Sequence, residues 1–400
     1  MKKFLCAFLA LCMTGGILAA CGGKSPSGDA SAPASTPASQ SASVPEEPAE
    51  KPYNAALLTG LEKGEDYPEG VRPVAIMVNN ISSYSSAHNQ NARPQAGLSE
   101  ADVLVEIKVE GGITRFMAIY PDYEKIPRVA PVRSARDQFF QLLLPFRMLY
   151  VHVGESVVQT EYRKNYDYDE FNIDGDHWGT TLGSYDSEFG QRGVAREHTW
   201  ATSGEKIAAT IQKGGYDVTV KPYKSTIFDF VRYDEPARVL TGGDAKQVDI
   251  YHSDSYRTYF DWDEASGKYL MSQYSTHFGG IKPSTDQNNG EQLAFDNVLV
   301  ILTDFSVYPD PGGSGYDLQK VDYTFGGYGC YFNGGKVEKV RWLKGAPDQV
   351  LRIVDADGNE ENVKINPGKT YLAVVDLDEA ERFTYNPAIR GEEAASSANS

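Results

Sequence analysis

The sequence predicts an α/β or α+β N-terminal domain followed by a mainly β C-terminal domain, with a leader and a disordered tether in front of them. Three observations carry this reading. Apolar runs of strand length alternate with helical patterns as far as Val231. Beyond that point, short alternating segments separated by turn pairs replace the helices. The composition, 41% hydrophobic and 23% charged over 400 residues, is that of a globular chain with room for two domains.

The N-terminus is read first. Lys2 and Lys3 precede an apolar run from Phe4 to Leu18 that ends in small residues, the pattern of a secretory leader. The run is shorter than the ~20 apolar residues that a membrane-spanning helix needs. It closes on Leu18-Ala19-Ala20-Cys21-Gly22, which resembles the lipobox of bacterial lipoproteins. Residues 1–20 are then a signal peptide and Cys21 is the lipidated residue. Of 4 cysteines, Cys6 and Cys12 leave with the leader and Cys21 becomes the anchor. Cys330 remains alone, so the exported fold relies on its core and not on an internal disulfide. Loss of Lys2 and Lys3 takes the net charge from −17 to −19. That acidic balance argues against a nucleic-acid partner, since phosphate neutralisation needs clustered Lys and Arg. Residues 21–52 are rich in Ser, Ala and Pro and cannot bury enough surface to order themselves. As a tether, about 30 such residues span roughly 30 Å. Residues 389–400 form a similar polar tail.

The first domain is placed at 53–232. Val74 to Val78 is a continuous apolar run, the mark of a buried strand. Asp102 to Glu110 alternates, with Val103, Val105, Ile107 and Val109 on one face and Glu106, Lys108 and Glu110 on the other. Gly111-Gly112 turns the chain into a second strand ending at Tyr120. Ser134 is read as the cap of an apolar helix through Leu144, and Met148 to Val153 as another strand. Val157–Lys164 and Ser203–Lys213 have helical patterns. The second carries Thr202 and Glu205 at capping-box spacing and Gly214-Gly215 as its stop. The second domain is placed at 233–388. Its strands are Val248–Tyr251, Thr258–Trp262, Tyr269–Tyr274, Asn297–Leu302, Gly329–Phe332, Val337–Trp342, Leu351–Val354 and Tyr371–Val375. Asn333-Gly334, Asp357-Gly358 and Pro367-Gly368 are the turns between them.

Several of these segments form a recognisable set. RPVAIMVNN (Arg72–Asn80), ARPQAGLSEADVLVE (Ala92–Glu106), EGGITRFMAIY (Glu110–Tyr120), PVRSARD (Pro131–Asp137) and EHTWATSGEKI (Glu197–Ile207) resemble the YerB-like lipoproteins of the DUF3048 family. NNGEQLAFDNVLVI (Asn288–Ile301), GYGCYFNGGKVEKVRWLKG and KINPGKTYLAVV resemble that family's second domain. One departure is Ser284, ahead of Asp286, where the family pattern has His. The resemblance implies a two-domain, membrane-anchored, extracytoplasmic bacterial protein, and it implies no activity.

The sequence also carries candidate chemistry-bearing residues. Arg133-Ser134-Ala135-Arg136-Asp137 is the leading candidate. A Ser134-capped helix start has free amides that favour an anion, and Arg133 and Arg136 flank it. Arg93 and Arg115 are candidates to join them. The competing reading is internal pairing of these arginines with Glu106, Glu110 or Asp102. His152 ends a strand and His198 precedes a helix; with Ser156 they form a weaker Ser/His set of candidate catalytic groups. Ser156 lacks the second glycine of a nucleophile elbow. The acidic stretch Tyr166–Phe189 fails as a calcium loop because Trp178 and Tyr185 stand at ligand positions. No Walker or Rossmann glycine motif occurs. Neither a cofactor nor a metal is therefore expected. The aromatics Tyr251, Tyr256, Tyr259, Phe260, Trp262, Tyr269 and Tyr274 fit either cross-strand packing or a sugar- or peptide-binding face.

Taken together, the expectation is a lipid-anchored extracytoplasmic binding protein for an anionic small molecule, an envelope polymer or a protein partner. The alternative is an envelope hydrolase or phosphotransferase acting on a phosphate-bearing or glycan substrate, with His152 or His198 as acid/base and an arginine clamp.

Overall fold

A computed structural model describes residues 54–83, 89–220, 226–276, 279–309 and 315–387. The expected leader (1–20), Cys21, the whole of the expected tether (21–52) and the tail (389–400) lie outside the described residues. The described residues belong to one compact unit.

The N-terminal half alternates strands and helices. Its strands are β1 (Val74–Asn79), β2 (Val103–Lys108), β3 (Thr114–Tyr120), β4 (Leu149–His152), β5 (Asn172–Asp174), β6 (Ser184–Tyr185) and β7 (Trp200–Ala201). Its helices are α1 (Asp137–Leu143), α2 (Val157–Asn165), α3 (Gly175–Trp178), α4 (Ser187–Gln191) and α5 (Gly204–Gly214). Ser156 is the N-cap of α2, its hydroxyl accepting from Gln159 N at 3.1 Å. Helix α5 is capped by Ser203, one residue later than the sequence spacing indicates, and stops at Gly215 (φ 67°). In the acidic stretch, Asp174 caps α3 and Asp186 caps α4.

Among the described residues, the C-terminal half has strands and one short 3₁₀ helix, Leu377–Arg382. The strands are β8 (Gln247–Tyr251), β9 (Arg257–Asp263), β10 (Lys268–Tyr274), β11 (Ile281–Pro283), β12 (Ala294–Phe295), β13 (Asn297–Thr303), β14 (Phe305–Val307), β15 (Gln319–Val321), β16 (Gly327–Asn333), β17 (Lys336–Leu343), β18 (Arg352–Asp355), β19 (Thr370–Asp376) and β20 (Thr384–Tyr385). All eight strands expected there are present. The fold class is thus α/β in the first half and mainly β in the second.

The two halves share one sheet. Ten strands run in the order β18-β17-β16-β13-β19-β2-β3-β1-β4-β5. The joint is a parallel pairing of β19 with β2, Thr370 opposite Val103 through Val374 opposite Ile107. A second sheet holds β11-β10-β9-β8-β20. It covers one face of the large sheet, where Phe260 meets Tyr371 at 4.8 Å between ring centroids. Helix α1 covers the opposite face, with Phe140 6.2 Å from the ring of Tyr150. Because both faces are covered, the Glu106 side of β2 does not meet solvent as the alternation implies: Glu106 is fully buried. The aromatics of the second half are likewise mostly core. Tyr259, Phe260 and Tyr269 are fully buried, and Tyr269 lies opposite Trp262 as a cross-strand pair. Cys330 is a buried free thiol whose pKa burial raises to about 11.

Candidate functional site

Antiparallel pairing of β1 with β3 sets Arg115 opposite Asn79, on one face of the large sheet. The segment before α1 runs along the end of β1 in extended form. Arg133 N donates to Met77 O at 2.9 Å, and Ala135 N donates to Gly154 O at 2.9 Å. The second of these strand-type bonds uses the first amide that the sequence reading assigned to a helix start. Ser134 is therefore not a helix cap. The N-cap is Arg136, with φ −140° and ψ 144°, and α1 begins at Asp137. Ser134 serves instead through its carbonyl, which accepts from Arg115 Nη1 at 2.6 Å. Gly154 (φ 72°) allows the close approach, since a Cβ there would stand 3.1 Å from Asp176 Oδ2 and 3.4 Å from Ser134 Oγ.

Arg115 and Arg136 converge on one carboxylate, with Arg133 beside them. Arg136 Nε donates to Glu110 Oε1, and Arg115 Nη2 lies 3.8 Å from Glu110 Oε2. Burial raises the proton affinity of Glu110, but the two guanidinium groups outweigh it and hold the carboxyl below its usual range. Arg133 donates Nη1 to the backbone carbonyl of Glu197 at 2.7 Å. Among the described residues it has no carboxylate within ion-pair distance. Burial, and then neighbouring Arg136, lower the pKa of Arg133. Burial, and then Arg136, also depress that of Arg115, whose buried Nε has no hydrogen-bond partner among the described residues. Asp137, beside Arg136, is raised to about 6 by burial and accepts from the Tyr308 hydroxyl at 2.9 Å.

His198 belongs to this cluster. Its Nδ1 is 3.0 Å from Asn79 Nδ2. Asn79 Oδ1 is already taken by Ile81 N, so the amide nitrogen faces the ring and Nδ1 accepts. Burial, followed by Arg133, lowers its pKa to about 4. His152 is fully buried, with Nδ1 2.9 Å from Gly154 O and Nε2 2.8 Å from Asn172 Oδ1. Its two ring nitrogens are thus engaged, one with the turn after β4 and the other with neighbouring β5. Ser156, spent on the α2 cap, joins neither histidine.

Arg93 lies apart from the other arginines. Register places Thr114 on the opposite face from Arg115, together with Glu106. On that face Asn80 donates to Glu106 Oε1 at 3.1 Å and Arg93 Nε donates to Asn80 Oδ1 at 2.8 Å. Glu106 also accepts from Thr114 (2.7 Å), Thr258 (2.7 Å), Tyr371 (2.6 Å) and Gln273 (3.3 Å), so its partners come from four strands and the turn after β1. Internal pairing thus involves Glu110 as one sequence reading held, whereas Glu106 is satisfied by neutral donors. Asp286 is buried and holds the turn at Gly97 and Ser99 through bonds of 2.8–2.9 Å.

A larger cavity, about 740 Å³, is elsewhere, among Tyr67, Pro73, Phe228, Phe230, Val350 and Ile353. None of the candidate arginines or histidines lines it. It is bordered by Val220 and Thr226, between which residues 221–225 lie outside the description.

Comparison with known proteins agrees with this architecture. The Bacillus subtilis (strain 168) protein described as "Putative lipoprotein YerB" is 28% identical over 335 residues, covering 81% of this chain and 87% of the relative. The crystal structure of YerB protein from Bacillus subtilis superposes with a TM-score of 0.63 at 26% identity, covering 81% of this chain and 97% of that one. Residues 58–217 match the N-terminal domain, and residues 247–372 the C-terminal domain, of the family described as protein of unknown function (DUF3048). The chain therefore belongs to the DUF3048 family.

Proposed function

We propose that the protein is lipid-anchored through Cys21 on the extracytoplasmic face of the membrane and binds an anionic ligand at Arg133, with Arg115 and Arg136 beside it. The observation that carries the reading is the charge inventory of this cluster. Of three neighbouring guanidinium groups, Arg115 and Arg136 share the single carboxylate of Glu110, and half-buried Arg133 is left with a backbone carbonyl as its hydrogen-bond acceptor. An anion there relieves the mutual repulsion of the arginines and accepts from a guanidinium fork suited to phosphate or carboxylate. The lipobox and the tether support the location, as does the name borne by the Bacillus relative.

Arg133→Gln is the test, because it keeps a donor for the Glu197 carbonyl and leaves the Glu110 pairs untouched. Titration of inorganic phosphate by calorimetry is expected to show binding to the parent, weakened at least about tenfold in the variant, since a charge-assisted hydrogen bond is worth roughly 1.5–3 kcal/mol. The melting temperature is expected to move by no more than about 2 °C. A large fall in melting temperature with no change in phosphate binding makes Arg133 a structural residue and overturns the reading.

A further inference from the structure

A second feature lies on the other face of the large sheet. A small cavity of about 80 Å³ sits between the two halves of the chain. Its lining includes the buried Arg93, Gln95, Gln273 and Ser275, with the more open Lys282 and Ser284. Two of these buried side chains carry unused hydrogen-bonding atoms. Arg93 is 9% exposed and its Nη2 has no partner among the described residues; Gln273 is 3% exposed and its Oε1 has none. The other atoms of both groups are well used. Arg93 gives Nε to Asn80 and Nη1 to Tyr274 O at 2.7 Å, and Gln273 gives Nε2 to Thr258 at 3.0 Å. The two side chains are thus fixed, and only the unused atoms remain to be satisfied.

The charge of Arg93 has no close partner either, since buried Glu106 reaches it only through Asn80 and at longer range. Arg93 has no carboxylate within ion-pair distance among the described residues. Its nearest acidic neighbour, Glu106, already accepts from five side chains. A buried cation without a close counter-ion is costly, and Lys282 adds a second positive group at the rim. The chemistry demanded is therefore specific. Arg93 Nη2 asks for an anionic acceptor, and Gln273 Oε1 asks for a donor on the same molecule. A cavity of this size has room for only a few non-hydrogen atoms, since one water needs about 10–15 Å³.

We infer that this cavity is a binding site for a small carboxylate bearing an N–H or O–H donor next to it. A free 2-hydroxy acid such as glycolate has that shape, and so does the C-terminal glycine of a peptide. Arg93 and Lys282 bind the carboxylate, and Gln273 Oε1 accepts from the neighbouring donor. The peptide arm trails out past Ser284. The site is independent of the Arg133 cluster, from which the sheet separates it.

The test is calorimetric titration of the protein with glycolate, N-acetylglycine and acetate. Glycolate, N-acetylglycine or both are expected to bind, and the pattern distinguishes a free hydroxy acid from a chain end. Acetate, which lacks the donor, is expected to bind at least about fivefold more weakly, the share of one neutral hydrogen bond. Arg93 holds the fold together, so the variants are placed at the rim. Lys282→Glu is expected to weaken binding at least about fivefold by charge reversal. Ser284→Leu is expected to abolish it by filling the cavity, with the melting temperature of both variants near that of the parent. Arg133→Gln is expected to leave it unchanged, which keeps this site distinct from the other. No binding of either donor-bearing ligand below about 10 mM, equal binding of acetate, or binding that survives Ser284→Leu overturns the inference.

Discussion

His198 offers a direct measure of the electrostatics of the arginine cluster. Its ring is buried and its Nδ1 accepts from Asn79 at 3.0 Å, so a proton on Nδ1 breaks that bond and places a cation beside Arg133. The pKa accordingly falls from 6.5 to about 4, through burial first and Arg133 second. The sign follows. The unfolded chain takes up this proton below about pH 6.5, whereas the native ring stays neutral until about pH 4. The stabilising term is complete above pH 6.5 and is lost as the pH falls through that window. Its size, from pKa 6.5 to about 4 at 1.36 kcal/mol per tenfold in proton affinity, is about 3 kcal/mol. His198→Asn keeps an acceptor for Asn79 and removes the titration. Urea unfolding from pH 7 to pH 4 is expected to cost the parent about 3 kcal/mol more than the variant. Asp137, raised to about 6, acts in the opposite direction, because its protonated form is favoured in the fold and its contribution falls as the pH rises from about 4 to 6. That contribution is common to both proteins and cancels in the difference. Parallel stability curves, within about 1 kcal/mol across the range, refute the argument that His198 is held neutral by burial beside Arg133.

Two further outcomes are expected. Glu106→Ala removes the acceptor of five buried donors from both halves of the chain and is expected to cost about 3–5 kcal/mol in equilibrium unfolding; a loss below about 1 kcal/mol contradicts the network reading. Cys21→Ser removes the proposed lipidation site and is expected to move the protein from the membrane fraction to the soluble fraction of the producing cells. Retention in the membrane fraction refutes anchoring through Cys21.

The sequence was most legible where local pattern and burial agree. Alternation such as Tyr269 to Tyr274, punctuated by pairs such as Asn333-Gly334, located every long strand of the second half, because hairpin neighbours are also sequence neighbours. It was least legible where distant segments decide the environment. Glu106 alternates as a surface residue does, yet Thr258, Gln273 and Tyr371 arrive from more than 150 positions away to cover it. Ser134 looks like a cap, but β1 and the turn at Gly154 hold its neighbours extended and move the helix start to Asp137. The arginine motif was found by charge pattern, while its division between two sheet faces depends on register that no single segment encodes. His198 was noticed, but its approach to Asn79 and Arg133 was not predictable from spacing. Gln273 carried no sequence signal, since an unused amide oxygen is visible only once its surroundings are known.

The shared sheet explains why the polar groups lie where they do. Strand β2 is central only because β19 pairs with it in parallel on one side and β3 closes the other. Remove the second half, and β2 becomes an edge with unpaired backbone groups while Glu106 loses Thr258, Gln273 and Tyr371 together. The first half is therefore not self-sufficient around Glu106. The same dependence accounts for Arg93, which is held from one side by Asn80 and from the other by the carbonyl of Tyr274. A guanidinium fixed from both sides, with one nitrogen unspent, is preorganised at the seam. Arg133, by contrast, hangs from a single carbonyl beside the first-half arginines and stays partly open. The fold thus offers two cationic positions of different character, one enclosed and built by both halves, the other open and built by one.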